Sequence, residues 1–307
     1  MKHCLSLKDF TPGEVTGLLD NALRLKKNPS LGRGLMAGRW LFMLFQKTST
    51  RTRLSFEVGA GQLGGHSVVM DWDSSNFAIS PIRYEARYVS SHASIIMARL
   101  KKHSDLTQLA EHSRVPVING CDDMFHPCQA LADLLTVYET AGSLKGQTVC
   151  YVGIHNNVAN SLALGCQRTG VKLILVTPEG NQPAHDPRML EEWEAQGVVE
   201  RTLDLKEAVL RADFVYTDTW VDMEFFRDPA FKAEKERRIN LMLPYQLNEK
   251  NLAGSQAYIL HDMPIHPGFE ISESMVESPR SLIYQQAENR LYVQQALMLH
   301  LLDIPLP

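Results

Sequence analysis

The chain has 307 residues, 44% of them hydrophobic and 21% charged, enough to bury two cores in domains of roughly 150 residues each rather than one undivided globule. A formal net charge of −4 excludes the global basic field that drives nucleic-acid binding, so any anion site must be local. No apolar run approaches the ~20 residues that span a bilayer, and the N-terminus lacks the long apolar core of a signal peptide, which predicts a cytoplasmic protein without a membrane partner.

In chain order, strand-length apolar runs alternate with amphipathic stretches of helix length, the pattern of parallel sheets covered by helices. A first series comprises W-L-F-M-L-F (40–45), H-S-V-V-M-D (66–71), A-S-I-I-M-A (93–98) and V-P-V-I-N (115–119). The helix that follows starts at His126-Pro127, carries Leu131, Leu134, Leu135 and Tyr138 on its buried face, and can stop at Gly142. A second series comprises T-V-C-Y-V-G-I (148–154), V-K-L-I-L-V-T (171–177), D-F-V-Y-T-D (213–218) and A-Y-I-L-H (257–261). The expected fold is therefore α/β: two doubly wound domains with parallel sheets, 1–143 and 144–285, joined by interdomain helices. A last helix from about Gln286 to Leu302, in the segment 286–307, is expected to return to the first domain. Cys4, Cys121, Cys128, Cys150 and Cys166 are dispersed and free of C-x-x-C spacing, so they read as reduced packing thiols rather than a zinc or redox site.

The first strand runs into F-Q-K-T-S-T-R-T-R-L-S-F-E (45–57). Ser49 is the expected N-cap of a helix beginning near Thr50, so free helix N–H groups, hydroxyls and a guanidinium converge as a phosphate cradle. The plainer alternative is a well-capped helix with an Arg53–Glu57 pair on its solvent side.

S-T-R-T-R followed by F-E, then A-R (98–99), H-P-C-Q (126–129), G-I-H-N-N-V-A-N-S (153–161), D-T-W-V-D-M (218–223), H-D-M-P (261–264) and E-N-R (288–290), in that order and spacing, resemble the aspartate and ornithine carbamoyltransferase family over essentially the whole chain. The resemblance implies a first domain that binds carbamoyl phosphate, a second that binds an amine acceptor, and active sites at the subunit interfaces of a homotrimer. It also implies a citrulline-type product in arginine metabolism. It makes Ser49, Thr50, Arg51 and Thr52 phosphate ligands, sets Arg99, His126 and Gln129 around the carbamoyl group, and adds Arg290. Without it, Arg99 would read as a surface ion-pair residue, His126 as a helix cap and Arg290 as a polar-face residue. Carbamoyl transfer needs a neutral amine, donors for a developing oxyanion and a leaving phosphate, so no cofactor or metal is expected.

The acceptor motifs depart from the family's ornithine-using branch. Asn157, Asp218, Met223 and Met263 fall in matching motifs, and Asn157 could equally be an N-cap. Asp222 replaces a serine, Glu224 a glycine and Pro267 an arginine; the loop 74–85 lacks the usual G-E-S and offers Arg83. Asp262 stands where a cysteine would lie beside the acceptor's side-chain amine, and a carboxylate there could bind an ammonium or deprotonate it. Arg51, Arg99, His126 and Asp262 are thus the expected catalytic set. Asp218, Asp222 and Asp262 together favour a cationic acceptor, ornithine or a close diamino relative, over aspartate, although Asp222 could instead pair with a nearby Arg or Lys. Putrescine-like amines and N-acylated ornithines remain open, as does an inactive carbamoyltransferase-like subunit. A nicotinamide dehydrogenase is disfavoured because the turn after the first strand of the second domain lacks G-x-G-x-x-G.

Overall fold

The computed structural model describes residues 1–221, 226 and 228–307. Four parallel strands, β1 (Trp40–Phe45), β2 (His66–Asp71), β3 (Ile95–Arg99) and β4 (Val117–Asn119), form the first sheet in the order β2-β1-β3-β4. Five more, β5 (Thr148–His155), β6 (Lys172–Gly180), β7 (Val199–Arg201), β8 (Phe214–Thr217) and β9 (Tyr258–His261), form a second parallel sheet in the order β7-β6-β5-β8-β9. The two-sheet α/β architecture is the expected one. β7 was not anticipated: it is a three-residue edge strand with one buried side chain, too short to show a period. β3 and β4 start two residues later than their apolar runs, at Ile95 and Val117, and β4 begins only after Pro116, which has no N–H for the ladder.

Eleven α-helices connect or cover the strands among the described residues: α1 (Pro12–Lys27), α2 (Arg51–Gln62), α3 (Ile82–Val89), α4 (His103–His112), α5 (Pro127–Ala141), α6 (Asn157–Thr169), α7 (Pro187–Ala195), α8 (Leu205–Arg211), α9 (Lys232–Met242), α10 (Glu273–Val276) and α11 (Ile283–Leu301). α5 starts with Pro127 and ends on Gly142 in the left-handed conformation, as its sequence requires. α11 begins at Ile283 rather than Gln286 and packs on α1, α2 and α5 of the first half while also touching β9. One apolar core joins the halves, running from Met43 and Ile95 through Leu131, Leu162 and Leu297 to Tyr151 and Leu173. Where α6 crosses α5, a Cβ on Gly165 would stand 2.7 Å from Leu134 Cδ1, so only glycine permits the approach. All five cysteines are buried and unpaired. No described helix is long and apolar enough to cross a membrane.

Both sheets reverse strand order at their first strand, β1 between β2 and β3 and β5 between β6 and β8, and such a switch point opens a crevice beyond the carboxyl ends of the strands. Register decides what faces it. Phe45 is level with Arg99 across β1 and β3, which sets the T-S-T-R-T-R turn beside the Arg99 side chain. Thr217 is level with His261 across β8 and β9, so the next residues, Asp218 and Asp262, emerge side by side.

Candidate active site

A cavity of about 490 Å³ lies between the two switch points, lined by residues 47–52, Arg99, Lys101, Lys102, residues 121–123, His126 and Arg290 on one side and by Asn156, Asn157, Asp218, Thr219, Asp262 and Met263 on the other. The first wall is cationic. α2 begins at Arg51, and its N-cap is Thr50 rather than Ser49: the Thr50 carbonyl accepts the first helical bond, from the Leu54 N–H at 3.0 Å, and the Thr50 side chain makes no capping bond. The first N–H groups of α2 are therefore left for a ligand. Arg53 pairs with Glu57 at 3.2 Å on the exposed side, so the surface pair and the cleft-facing turn coexist on one helix.

Thr52 is buried at 1% exposure, and its Oγ1 accepts from Arg290 Nη2 at 2.6 Å and from Arg99 Nη1 at 3.5 Å. Arg51 Nη2 reaches across the cleft to the carbonyl of Met263 at 2.8 Å. The Nε atoms of Arg51, Arg99 and Arg290 and Nδ1 of His126 are buried without a partner. Among the described residues none of the three arginines has a carboxylate within ion-pair distance. Burial first, and the neighbouring guanidinium groups next, hold the Arg290 pKa below its usual value; burial likewise lowers that of Arg51, opposed by Asp262. The same burial, reinforced by Arg290, Arg99 and Arg51, drives the His126 imidazole well below its ordinary pKa, so it is neutral near pH 7. His126 holds the N-cap position of α5, but its ring makes no capping bond and its backbone N–H donates to Ser161 Oγ at 2.6 Å. Several uncompensated donors around one point call for an anion with more than one oxygen.

Gln129, expected on this wall, is not among the cavity-lining residues. It lies buried behind His126, where Nε2 donates to Asp133 Oδ1 at 2.9 Å.

The second wall is acidic. Asn156, not Asn157, caps α6: its Oδ1 accepts from the N–H groups of Val158 and Ala159, and its Nδ2 donates to Asp218 Oδ2 at 2.7 Å. Asn157 instead donates to the carbonyl of Asp122 at 2.5 Å, lashing α6 to the turn after β4. Asp218 Oδ1 accepts from the N–H of Thr219 at 2.6 Å, so both its oxygens are engaged. Asp262 Oδ1 is buried with no partner. Burial, and then the Asp218 carboxylate beside it, push the Asp262 pKa well above the ordinary carboxylate value, with Arg51 opposing. One atom each from Asp218, His261 and Asp262 lie within 4.8 Å of one another, a spacing that could suit a metal. However, His261 Nδ1 accepts from the N–H of Met263 at 2.8 Å and Nε2 faces Glu270 Oε1 at 3.1 Å, so neither ring nitrogen is on offer. Two adjacent carboxylates, one with a buried oxygen that has no hydrogen-bond partner, are a seat for an ammonium.

The turn 262–264 places Met263 at φ 63°, a conformation that non-glycine residues seldom adopt, and this directs its carbonyl to Arg51. Asp222, Met223 and Glu224 lie outside the described residues. Arg83 is exposed on α3, its guanidinium over the Tyr84 ring, away from this cavity.

Comparison with known proteins decides the family. The model for the carbamoyl-P binding domain of aspartate/ornithine carbamoyltransferases matches residues 2–139, and that for the Asp/Orn binding domain matches residues 145–301. The chain belongs to the aspartate/ornithine carbamoyltransferase family. It is a carbamoyltransferase. It is 39% identical to the ornithine carbamoyltransferase of Archaeoglobus fulgidus, with 98% of both chains covered, and 38% identical to that of Pyrococcus abyssi, covering 98% of this chain and 96% of the other. The crystal structure of ornithine carbamoyltransferase from Thermus thermophilus superposes with a TM-score of 0.87 at 37% identity, covering 98% of this chain and 99% of that one. Ornithine carbamoyltransferase from Pyrococcus furiosus gives 0.88 at 36% identity, covering 97% and 96%.

Sequence reasoning missed Asn156, the cationic rim of Lys101 and Lys102, and Asp133 behind Gln129. The repeated i, i+4 spacing of Gln129 with Asp133 and of Gln286 with Arg290 was the available signal for a buried polar network.

Proposed function

We propose that this carbamoyltransferase transfers the carbamoyl group of carbamoyl phosphate to the side-chain amine of ornithine or a close diamino relative, releasing phosphate and a citrulline-type product, in the cytoplasm. The observation that carries the reading is the opposition of the two walls: guanidinium groups with buried, unpartnered Nε atoms and, among the described residues, no carboxylate at ion-pair distance face Asp218 and Asp262 across one cavity. The names of the relatives point the same way.

In this reading residues 1–143 with the returning α11 hold carbamoyl phosphate, and 144–285 hold the acceptor. The phosphate rests on the start of α2, against Ser49, Thr50, Arg51 and Thr52, while Arg99, Arg290 and neutral His126 face the carbamoyl oxygen. Gln129 acts from behind, through His126 and Asp133. Asp262 takes one proton from the side-chain ammonium, and the free amine attacks the carbamoyl carbon. The new N–C bond forms as the C–O bond to phosphate breaks, and the departing phosphate takes the second amine proton. Donors already aimed at the oxyanion and phosphate lower the barrier without reorganising. Asp218 and Asp262 repel a second acceptor carboxylate, which ranks aspartate last. We also infer a homotrimer: Leu54 and Val58 of α2, Val68 and Met70 of edge strand β2, and Tyr84 and Tyr88 of α3 are exposed and apolar, a face suited to a second copy.

Phosphate release from carbamoyl phosphate with ornithine, N-acetylornithine, putrescine, lysine and aspartate tests the assignment. Ornithine or another diamine is expected to lead with aspartate inert; no release with any amine, or aspartate leading, refutes it.

A further inference from the structure

The two substrates of this reaction rest on different sheets, yet the amine nitrogen must meet the carbamoyl carbon at about 3–3.5 Å, and a misplacement of about 1 Å can reduce the rate on the order of 100-fold. At the mouth of the cavity the sheets are tied by the Arg51 bond to the Met263 carbonyl. Beneath the cavity, among the described residues, lies a second tie. Asp133 of α5 is 1% exposed, and its Oδ1 accepts from Gln129 Nε2 at 2.9 Å, Gln286 Nε2 at 2.6 Å and Tyr216 Oη at 3.5 Å. The other end of Gln286 accepts the N–H of His261 at 2.8 Å. Each partner belongs to an element that delivers a cleft residue: α5 begins just after His126, α11 carries Arg290 one turn beyond Gln286, β8 leads from Tyr216 to Asp218, and His261 precedes Asp262.

A buried carboxylate is expensive to desolvate, and an apolar residue of similar size would usually stabilise such a position better. Asp133 Oδ2 has no partner at all, and burial lifts the Asp133 pKa to about 7. Stability alone does not account for an acid at this point.

We propose that Asp133 and Gln286 are positioning residues, which set the acceptor loop His261–Met263, and with it the Asp262 carboxylate, at a fixed distance from the carbamoyl phosphate wall. The chain Gln129–Asp133–Gln286–His261 N–H transmits the placement of α5 and α11 to the loop. Cutting it leaves the donor wall intact and lets the acceptor end drift. This rests on the carbamoyl transfer reading above.

The test uses the full-length enzyme with Gln286→Met, which removes both the donor to Asp133 and the acceptor for His261, with Asp133→Asn, which keeps one acceptor oxygen but not the charge, and with the double variant. Initial rates over both substrates are compared with competitive inhibition by inorganic phosphate, a probe of the donor wall alone. Gln286→Met is expected to lower kcat on the order of 100-fold and Asp133→Asn about 10-fold. KM for the amine rises, while inhibition by phosphate stays within about 2-fold of wild type. The double variant is no slower than Gln286→Met, because both cut one path. Wild-type kcat in the single variants, additive losses in the double, or a parallel loss of kcat and phosphate inhibition would overturn the proposal. If Gln286→Met does not fold, Asp133→Asn carries the same split. A wild-type enzyme that turns over no amine defeats the carbamoyl transfer reading instead, which separates the two failures.

Discussion

The two walls of the cleft are built on different principles. The donor wall gathers Arg51, Thr52, Arg99, His126 and Arg290, whose polar atoms are buried and in part unpartnered, a surface ordered in advance for a charge it does not itself supply. On the acceptor wall Asp218 is fully engaged by Asn156 and Thr219, whereas Asp262 keeps a buried oxygen with no hydrogen-bond partner. In the proposed reading the donor wall fixes what is transferred by the number of its donors, and the acceptor wall selects what receives it through one unsatisfied carboxylate whose pKa burial, and then its neighbour, raise.

The sharpest way to break this contrast is to remove one member of each wall. Arg51→Ala takes away a phosphate donor and the Met263 tie together, and turnover with every acceptor is expected to fall about 1,000-fold in a steady-state phosphate assay. Asp262→Asn is expected to lower kcat about 100-fold while leaving inhibition by inorganic phosphate unchanged, and Asp262→Cys to change the ranking among amines. A more modest change is expected from Asn156→Ala, which removes the α6 cap and the bond to Asp218: about 1 kcal/mol of stability by urea denaturation, with a raised KM for the amine. The smallest effect belongs to Glu57→Ala, which breaks an exposed pair with Arg53 and should shift stability by less than about 1 kcal/mol with activity intact.

pH acts in opposite directions on the buried histidines and on the buried acid Asp133. His126 and His155 are held below their unfolded value of 6.5, His155 at about 4, both chiefly by burial. Below about pH 6.5 the unfolded chain therefore binds more protons than the native one, and stability falls as pH drops. Asp133 has the opposite sign. Raised from 3.8 to about 7, it keeps a proton in the native state that the unfolded chain has released, so its contribution declines as pH rises through that window. Asp262, also raised, acts in the same direction as Asp133, so thermal unfolding followed from pH 5 to 8 should show Asp133→Asn losing the Asp133 part of that opposing slope, with the histidine loss on the acid side correspondingly steeper.

On the donor wall the T-S-T-R-T-R turn after β1 was legible from the residues themselves, whereas Arg99, which closes β3, His126, which opens α5, and Arg290, within α11, were expected there only through the resemblance. Even there, details failed for local reasons. Ser49 is not the cap because the first helical bond, from the Leu54 N–H, goes to the Thr50 carbonyl, and Gln129 turned away because Asp133, one turn further along α5, offered a buried acceptor. On the acceptor wall the Asp218–Asp262 pairing could be suspected from the motifs, but it is produced by the register of β8 on β9. The cap moved from Asn157 to Asn156 because α6 already begins at Asn157, leaving Asn156 as the one residue between it and the end of β5 at His155. The Asp133–Gln286 bond joins residues 153 positions apart, beyond the reach of any periodicity.

In the proposed reading Asp262 receives the proton of a cationic acceptor opposite a preset anion wall. This role is tested by kcat/KM for ornithine, at saturating carbamoyl phosphate, between pH 5 and 9 in wild type and Asp262→Asn. Wild type is expected to show an inflection above the ordinary carboxylate range that vanishes in the variant, whose residual rate rises steadily with pH as free amine accumulates. A variant with the wild-type rate and the wild-type profile would contradict it.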